Sequence, residues 1–421
     1  MFVHLDLGWM SHPFALSSFR IADAAQIATI RSLGLARVRW SPEKSDAPPV
    51  APAALAGASA VATLGEPPAP APAAPPSGGD AAVHAALVAR HAAVELCQRQ
   101  YGEAAKGWRM SLEESRSDPL GAGRRMGALS GALVDKMLGA REVSIRVLAE
   151  TVADGASHAL NVSVVSLLLG KQCGLAESDL RDLGVGALSH DIGKLDLPPR
   201  LQRVDADFSG IELARYREHV AHGVMQGKRM GLSPGALLVI AQHHELCDGG
   251  GFPQGHDANR MSVAARVVAL VNRYDNLCHP VNAALSMTPH EALSRLFTQG
   301  KRHYDATLMA SFVRMMGVYP PGSVVQLTDD RFAVVDSVNS ARPLKPCVLV
   351  HDARISRGQS ALLDLENEPS LGIRRSLPSA QLPSAARDVL LPPPRLAWFF
   401  EPSDTAAADA SALAKDSLTG H

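Results

Sequence analysis

The chain has 421 residues, 46% of them hydrophobic and 20% charged, with mean hydropathy +0.02, the composition of a soluble globular protein long enough for two or three domains. A formal net charge of −1 excludes a global electrostatic case for a nucleic-acid polymer or a membrane surface as partner. Cys97, Cys173, Cys247, Cys278 and Cys347 include no CxxC pair and read as reduced thiols of a cytoplasmic protein, neither a disulfide frame nor a zinc–thiolate knot.

The start, MFVHLDLGWMSHPF, lacks the basic lead and apolar run of a signal peptide. FVHLDLGW alternates as a strand does, SFRIADAAQIATIRSLG has helical spacing closed by Gly34, and ARVRW alternates again. Residues 1–46 are therefore expected to form a small α+β unit. Its Trp9, His12 and Phe14 read as core or strand-end packing. Residues 47–80 are Ala/Pro-rich low complexity and read as an extended, partly stiff tether. Helical sequence follows from about 81 to 317, with 81–141 as a lead segment whose part 81–118 offers a surface for pairing chains. It is broken by loops at SDPLGAG, DLPPRLQRVD and a glycine-rich stretch. GAGRRMGAL reads as helix-surface charge, because no aromatic residues interleave it. ALNVSVVSLLLG is too short to span a bilayer. His303, Tyr304 and Asp305 are placed at a helix start, with Asp305 as the cap.

After VYPPG (318–322) the period changes to two. SVVQL and RFAVVDSV flank TDD as a hairpin, and KPCVLVHD is a further strand. Residues 323–402 thus make a short β appendage, and the Ala/Ser/Asp-rich stretch 403–421 is expected to be disordered. The fold class is mainly α.

Seven of the 16 histidines lie between residues 158 and 256, and their spacing says more than their number. Asp154 and His158 are four apart and share a helix face. Apolar residues at Leu180, Leu183, Ala187, Leu188 and Ile192 mark a helix stopping near Gly193, which puts His190 and Asp191 in its last turn with Lys194 just beyond. His219 and His222 are three apart on another helix, and His243 and His244 are adjacent. Imidazole and carboxylate without thiolate suit Fe, Mn, Zn or Ni. Adjacent helical residues point roughly 100° apart, so His243 and His244 are expected to serve two ions, with a carboxylate such as Asp191 between them. Two-metal sites of that kind activate a water and stabilise attacking and leaving oxygens in phosphoryl transfer. Any one histidine alone is more simply a surface or capping group.

SHDIGK together with HHELCDGGGFP resembles the HD-GYP division of the HD-domain metal-dependent phosphohydrolases, over about residues 142–322 and more loosely through the β tail. The first 46 residues, with LDLGWMSHPF, resemble the N-terminal domain of unknown function often joined to such enzymes, a similarity whose reach toward residue 140 is open. The resemblance implies a helical HD-domain bundle. It also implies hydrolysis of cyclic di-GMP to pGpG or GMP at two or three divalent ions, iron or manganese first and zinc or nickel next. It places metal ligands at His158, His190, Asp191, His219, His243 and His244, with Asp154 beside a third ion. Asp191 and Lys194 take catalytic roles, and Lys194, Gly251, Phe252 and Pro253 line the substrate pocket.

Three departures stand against that pattern. The signature Tyr is Phe252, which keeps the ring and loses the hydroxyl. Asn272 replaces an aspartate ligand, so it offers a carbonyl oxygen without charge, while Asp275 is kept one helical turn away. The Arg-Pro-Tyr-Arg stretch for substrate phosphates reads HPVNAALS, with Arg273 nearby. Two further readings therefore accompany the enzyme: a catalytically degenerate module that senses a nucleotide or binds protein partners, and a hydrolase of another cyclic or phosphorylated nucleotide.

Overall fold

A computed structural model of the chain describes residues 2–4, 18–21, 27–28, 30–31, 35, 37–41, 78–140, 142–149, 155–203, 208–351, 361–390 and 396–402. Trp9, His12, Phe14, the tether over 47–77 and the stretch 403–421 lie outside the described residues. The chain divides into two units, Met1–Val88 and Ala89–His421.

In the first unit, β1 (Phe2–His4), β2 (Ser18–Arg20) and β3 (Arg39–Ser41) form an antiparallel sheet in the order β2-β1-β3. Buried Val3 and Ile30 pack with Ile21, Leu35, Val38 and Trp40. The helical reading of SFRIADAAQ is corrected at its start. Ser18–Arg20 pairs with Phe2–His4, so ladder pairing overrides local periodicity there; among the described residues helix is present at 27–28 and 30–31.

Helix α1 (Gly78–Glu114) begins inside the stretch read as tether. Helix α2 (Pro119–Leu138) begins inside the stretch SDPLGAG, read as a loop. The reason is local: Asp118 caps the helix by accepting from Gly121 N at 2.9 Å, and Pro119 sits at the first position, where its missing N–H costs nothing. Strand β4 (Val143–Ala149) then interrupts sequence that read as helical.

Helix α3 (Gly155–Gln172) is buried on nearly every side, as suits a run apolar all round, and forms the centre of a bundle. Helix α4 (Glu177–Ser189) leads into a 3₁₀ turn at Ile192–Asp196. Helices α5 (Gly210–Arg217), α6 (His219–Arg229), α7 (Pro234–Gln242) and α8 (Val263–Cys278) follow. Helices α9 (Pro289–Gln299) and α10 (Ala306–Met316) complete the bundle. Caps fix the starts. Ser209 with Glu212 and Thr288 with Glu291 make capping boxes, and Asp305 accepts from Thr307 N and Leu308 N, as expected.

The C-terminal strands are β5 (Val324–Leu327), β6 (Phe332–Asn339), β7 (Cys347–Val350), β8 (Ala361–Asp364) and β9 (Ile373–Ser376). Helix α11 (Ser384–Leu390) and strand β10 (Leu396–Pro402) close the described chain. The hairpin β5–β6 and the strand β7 are those expected. The antiparallel sheet runs β10-β4-β6-β5-β9, with β7 on β6 and β8 on β7. Strand β4 pairs residue for residue with β10, Val143 opposite Pro402 and Ala149 opposite Leu396. The sheet is tied into the helical body at this edge. Trp398, Phe399 and Phe400 of β10 share one core with α3, α8 and α10, and Tyr274 lies 5.3 Å from Trp398 and 5.1 Å from Phe312, ring centre to ring centre. Among the described residues no helix is long and apolar enough to cross a membrane.

Candidate metal centre

Three of the site histidines stand just past a helix C-terminus: His190 after α4, His219 after α5 and His243 after α7. A helix leaves its last carbonyls unpaired there, and each imidazole uses one. Nδ1 donates to the carbonyl three residues upstream, from His190 to Ala187 at 2.7 Å, from His219 to Tyr216 at 2.6 Å and from His243 to Ile240 at 2.8 Å. In a neutral ring this leaves Nε2 as a bare acceptor aimed into the site. His158 stands in the first turn of α3, where no carbonyl is free. Its Nδ1 is held instead by Asp275 Oδ2 at 2.6 Å.

The bare Nε2 atoms converge on Asp191, whose two oxygens face different partners. Oδ2 lies 3.6 Å from His158 Nε2 and 3.4 Å from His190 Nε2. Oδ1 lies 3.6 Å from His219 Nε2 and 3.8 Å from His243 Nε2. Two groups of potential metal donors result: His158, His190 and Asp191, and Asp191, His219, His243 and His244, each with donor atoms within 4.8 Å of one another. Gly193 makes this convergence possible. A Cβ there would lie 1.9 Å from His219 O and 2.3 Å from Gly223 N, so only glycine lets the 190–194 turn seat against α6.

The residues fit cations. Asp191 Oδ1 and His244 Nε2 are buried without a hydrogen-bond partner, a costly state for polar atoms unless a cation satisfies them. The Nε2 atoms of His158 and His190 are 3.1 Å apart, and those of His219 and His243 are 3.4 Å apart; with both protons on Nδ1, neither pair has a proton to share. Burial pushes His219 down to about 4 and holds His243 and His244 well below the ordinary imidazole value. Burial alone would raise the Asp191 carboxyl. The Lys194 ammonium at 2.6 Å, with His190 and His219 around it, reverses that and holds Asp191 well below the usual carboxylate range.

Two local expectations are corrected. Helix α4 ends at Ser189, so His190 is its cap and Asp191 lies in the following turn. The His243 and His244 rings do not diverge to separate ions. Their centres are 4.1 Å apart and both join the same group of potential donors, at the cap of α7, which ends at Gln242. Asp154 lies outside the described residues. His222, read beside His219, is in neither donor group.

Asn272 is buried, but its Oδ1 accepts from Asn276 Nδ2 at 2.6 Å. Asp275 has both oxygens in use: beyond His158, Oδ1 accepts from Asn161 Nδ2 and His279 Nδ1, each at 2.9 Å. Burial would raise its pKa; His279 and His158 hold it far below the usual range. Its partners continue into β10, where Leu396 N donates to His279 Nε2 at 3.1 Å and Trp398 N to Asn161 Oδ1 at 2.9 Å. Sequence reasoning kept Asp275 only as a doubtful spare ligand and missed this orienting role.

The glycine-rich loop folds back on the histidine pair. Buried Glu245 accepts from Gln254 N at 2.7 Å and His256 N at 2.9 Å. A Cβ at Gly251 would lie 2.4 Å from Leu246 N, so close backbone packing requires glycine at that position. Phe252 stacks on His244 with ring centres 4.4 Å apart, and Arg217 Cζ lies 4.9 Å from the Phe252 ring. The site opens into a cavity of about 930 Å³ lined by Asp191, Lys194, Gly251, Phe252, Asn272 and Arg273 among others, but not by Pro253. That volume is at the upper end of small-molecule sites, about 300–1,000 Å³. Trp108, Leu112 and Arg203, none of them singled out in the sequence, also line it.

Residues 142–308 match the HD domain family, and residues 1–125 match a domain of unknown function, DUF3391. A cyclic di-GMP phosphodiesterase of Pseudomonas aeruginosa is 28% identical over 46% of this chain and 47% of its own length. The cyclic di-GMP phosphodiesterase response regulator RpfG of Xanthomonas campestris is 26% identical over 38% of this chain and 44% of its own. The chain thus spans less than half the length of either. A solved HDG"Y"P protein from Bdellovibrio bacteriovorus matches 51% of this chain and 69% of its own at 18% identity and a TM-score of 0.41. The chain thus carries a match to the HD domain family over residues 142–308, with a DUF3391 match ahead of it over residues 1–125.

Proposed function

We propose that the chain is a metal-dependent phosphodiesterase that hydrolyses cyclic di-GMP to pGpG, GMP or both. The observation that carries this reading is the division of Asp191, with one oxygen facing His158 and His190 and the other facing His219 and His243. His158, His190 and Asp191 would hold one divalent ion and Asp191, His219, His243 and His244 a second, with iron or manganese suited to the nitrogen and oxygen donors. Such a pair, when bound, supplies an activated water and positive charge for displacement at phosphorus.

The chain's own groups prepare that chemistry. Backbone carbonyls and Asp275 hold the imidazoles with their lone pairs inward. Lys194 keeps Asp191 ionised and faces the cavity, where its ammonium can donate to a phosphate oxygen. Gly251 and Phe252 form substrate wall, while Pro253 is not among the residues that line the cavity. Asp154 and Asn272 are the candidates beside a third ion.

One observation favours a second reading, a nucleotide-sensing or partner-binding module. Asn272 brings no charge to the site and spends its carbonyl oxygen on Asn276. Asn272→Asp separates the readings, since a large gain in metal content and turnover would mark the natural site as degenerate. The direct test uses anaerobically purified protein reconstituted separately with Fe(II), Mn(II) and Zn(II), with chromatography of the products from cyclic di-GMP and from other cyclic dinucleotides. Linear product that vanishes in His190→Ala is the expected result; metal uptake without product from any of them would replace the enzyme with the sensor.

A further inference from the structure

The turn that carries His190, Asp191 and Lys194 is gripped on both flanks by residues outside the HD domain. On the upstream side, Trp108 of α1 donates its indole N–H to Leu188 O at 2.8 Å. The same ring lies against Gly155, where a Cβ would sit 3.3 Å from Trp108 Cη2. Leu188 and Gly155 precede His190 and His158 by two and three residues, so one indole braces both histidines that face Asp191 Oδ2. On the downstream side, Arg116 Nη2 donates to Leu195 O at 2.8 Å and to Asp196 Oδ1 at 2.9 Å. Asp196 Oδ2 in turn accepts from Gln226 Nε2 of α6 at 2.6 Å. Only residues 189–194 lie between the two anchors. A carboxylate can be shared by two donor groups over a narrow range of orientations, and small shifts in metal-site geometry are costly. The anchors sit in the segment matched by DUF3391, residues 1–125, and not in the HD match, which starts at residue 142.

We propose that Trp108 and Arg116 are positioning residues of the metal centre: they fix the two ends of the 189–194 turn so that Asp191 is shared between both donor groups. The proposal rests on the two-ion reading given above. Trp108 has the larger share, because its N–H bond to the end of α4 is partly buried and its ring also lies against the start of α3. The Arg116 side chain is 66% exposed, and solvent screens its ion pair with Asp196.

The test is Mn(II) titration of the full chain, first stripped with chelator, followed by electron paramagnetic resonance well below the thermal transition. Wild type should take two ions and give the signal of a coupled pair. Trp108→Phe keeps an aromatic ring and loses the donor. It should weaken binding about tenfold, as removal of a group supporting a metal ligand does, and convert coupled-pair signal to isolated Mn(II) with little change in circular dichroism. Arg116→Gln should weaken binding by about threefold, in keeping with an exposed pair, and Arg116→Lys should recover most of it through Leu195 O. Two ions bound with unchanged affinity and coupling in Trp108→Phe and Arg116→Gln would overturn the proposal alone, and so would a lowered melting temperature with unchanged Mn(II) binding. Wild type that takes no Mn(II) would overturn the two-ion reading and this proposal together.

Discussion

The imidazoles around Asp191 are held in two different ways. His190, His219 and His243 follow helix C-termini and are oriented by carbonyls three residues back in their own chain segment. His158 stands at a helix N-terminal end and depends on Asp275, 117 residues away, which depends in turn on Asn161, His279 and the backbone of β10. The first arrangement is local, and no side-chain substitution can remove its carbonyls. The second is long-range and can be broken at several places. A single centre thus has one donor group held locally at His219 and His243 and another in which His190 is held locally while His158 senses the packing of the C-terminal strand.

Asp191 belongs to both sides, so its loss should have the largest effect. Asp191→Asn keeps the shape and removes the charge that both groups share, leaving the partly buried Lys194 ammonium beside a neutral amide. Metal analysis should show at most one ion per chain, and turnover should fall to background. Retention of two ions would mean that Asp191 is not shared.

Asp275→Asn tests the difference between the sides. It removes the anionic acceptor from His158 Nδ1 while leaving every carbonyl-held imidazole intact. Binding of the ion on the His158 side should weaken about 10- to 100-fold, with the ion on the His219 side nearly unchanged. Calorimetric titration with Mn(II) should therefore resolve two classes where wild type shows closer affinities. Equal loss at both sites would erase the distinction.

The His219, His243 and His244 group has its own pH signature in the metal-free protein. Burial holds His219 at about 4 against an ordinary 6.5, and pushes His243 and His244 down as well. Between pH 6.5 and about 4 the unfolded chain then binds more protons than the folded one, so stability falls as pH falls. Thermal midpoints in chelator should be level above pH 6.5 and drop steadily below it. A midpoint unchanged down to pH 4.5 would show that the folded chain protonates these rings freely.

The same contrast decides what could be read from sequence. The HD and HH pairs, His219 and Lys194 were legible because short motifs carry them and helix ends position them. Asp275 was visible as a residue but not as a hydrogen-bond partner, since its contacts join α3, α8 and β10. Strand β4 was lost among helices although VSIRVLA alternates and is rich in β-branched residues; its partner β10 lies some 250 residues later. The expectation that His243 and His244 serve separate ions rests on helical spacing alone, whereas their rings lie 4.1 Å apart in one group of potential donors. Trp108 and Arg116 carried no signal at all, as their partners lie 79 and 80 residues away.

The smallest effect lies at the far end of the long-range side. His279 Nε2 accepts from Leu396 N, and Nδ1 donates to Asp275 Oδ1. His279→Leu would leave a partly buried backbone N–H unpaired, at about 1–3 kcal/mol of stability, while Asn161 still holds Asp275. Metal affinity on the His158 side should then weaken only about threefold, well short of the 10- to 100-fold range for loss of a direct supporting group. Adding Asn161→Ala removes the remaining side-chain donor to Asp275 Oδ1 and should bring the double variant close to Asp275→Asn. Neighbours in one hydrogen-bond network couple, so the double variant should lose more than the two single changes combined. Strict additivity would instead mean that β10 stabilises the fold without orienting His158.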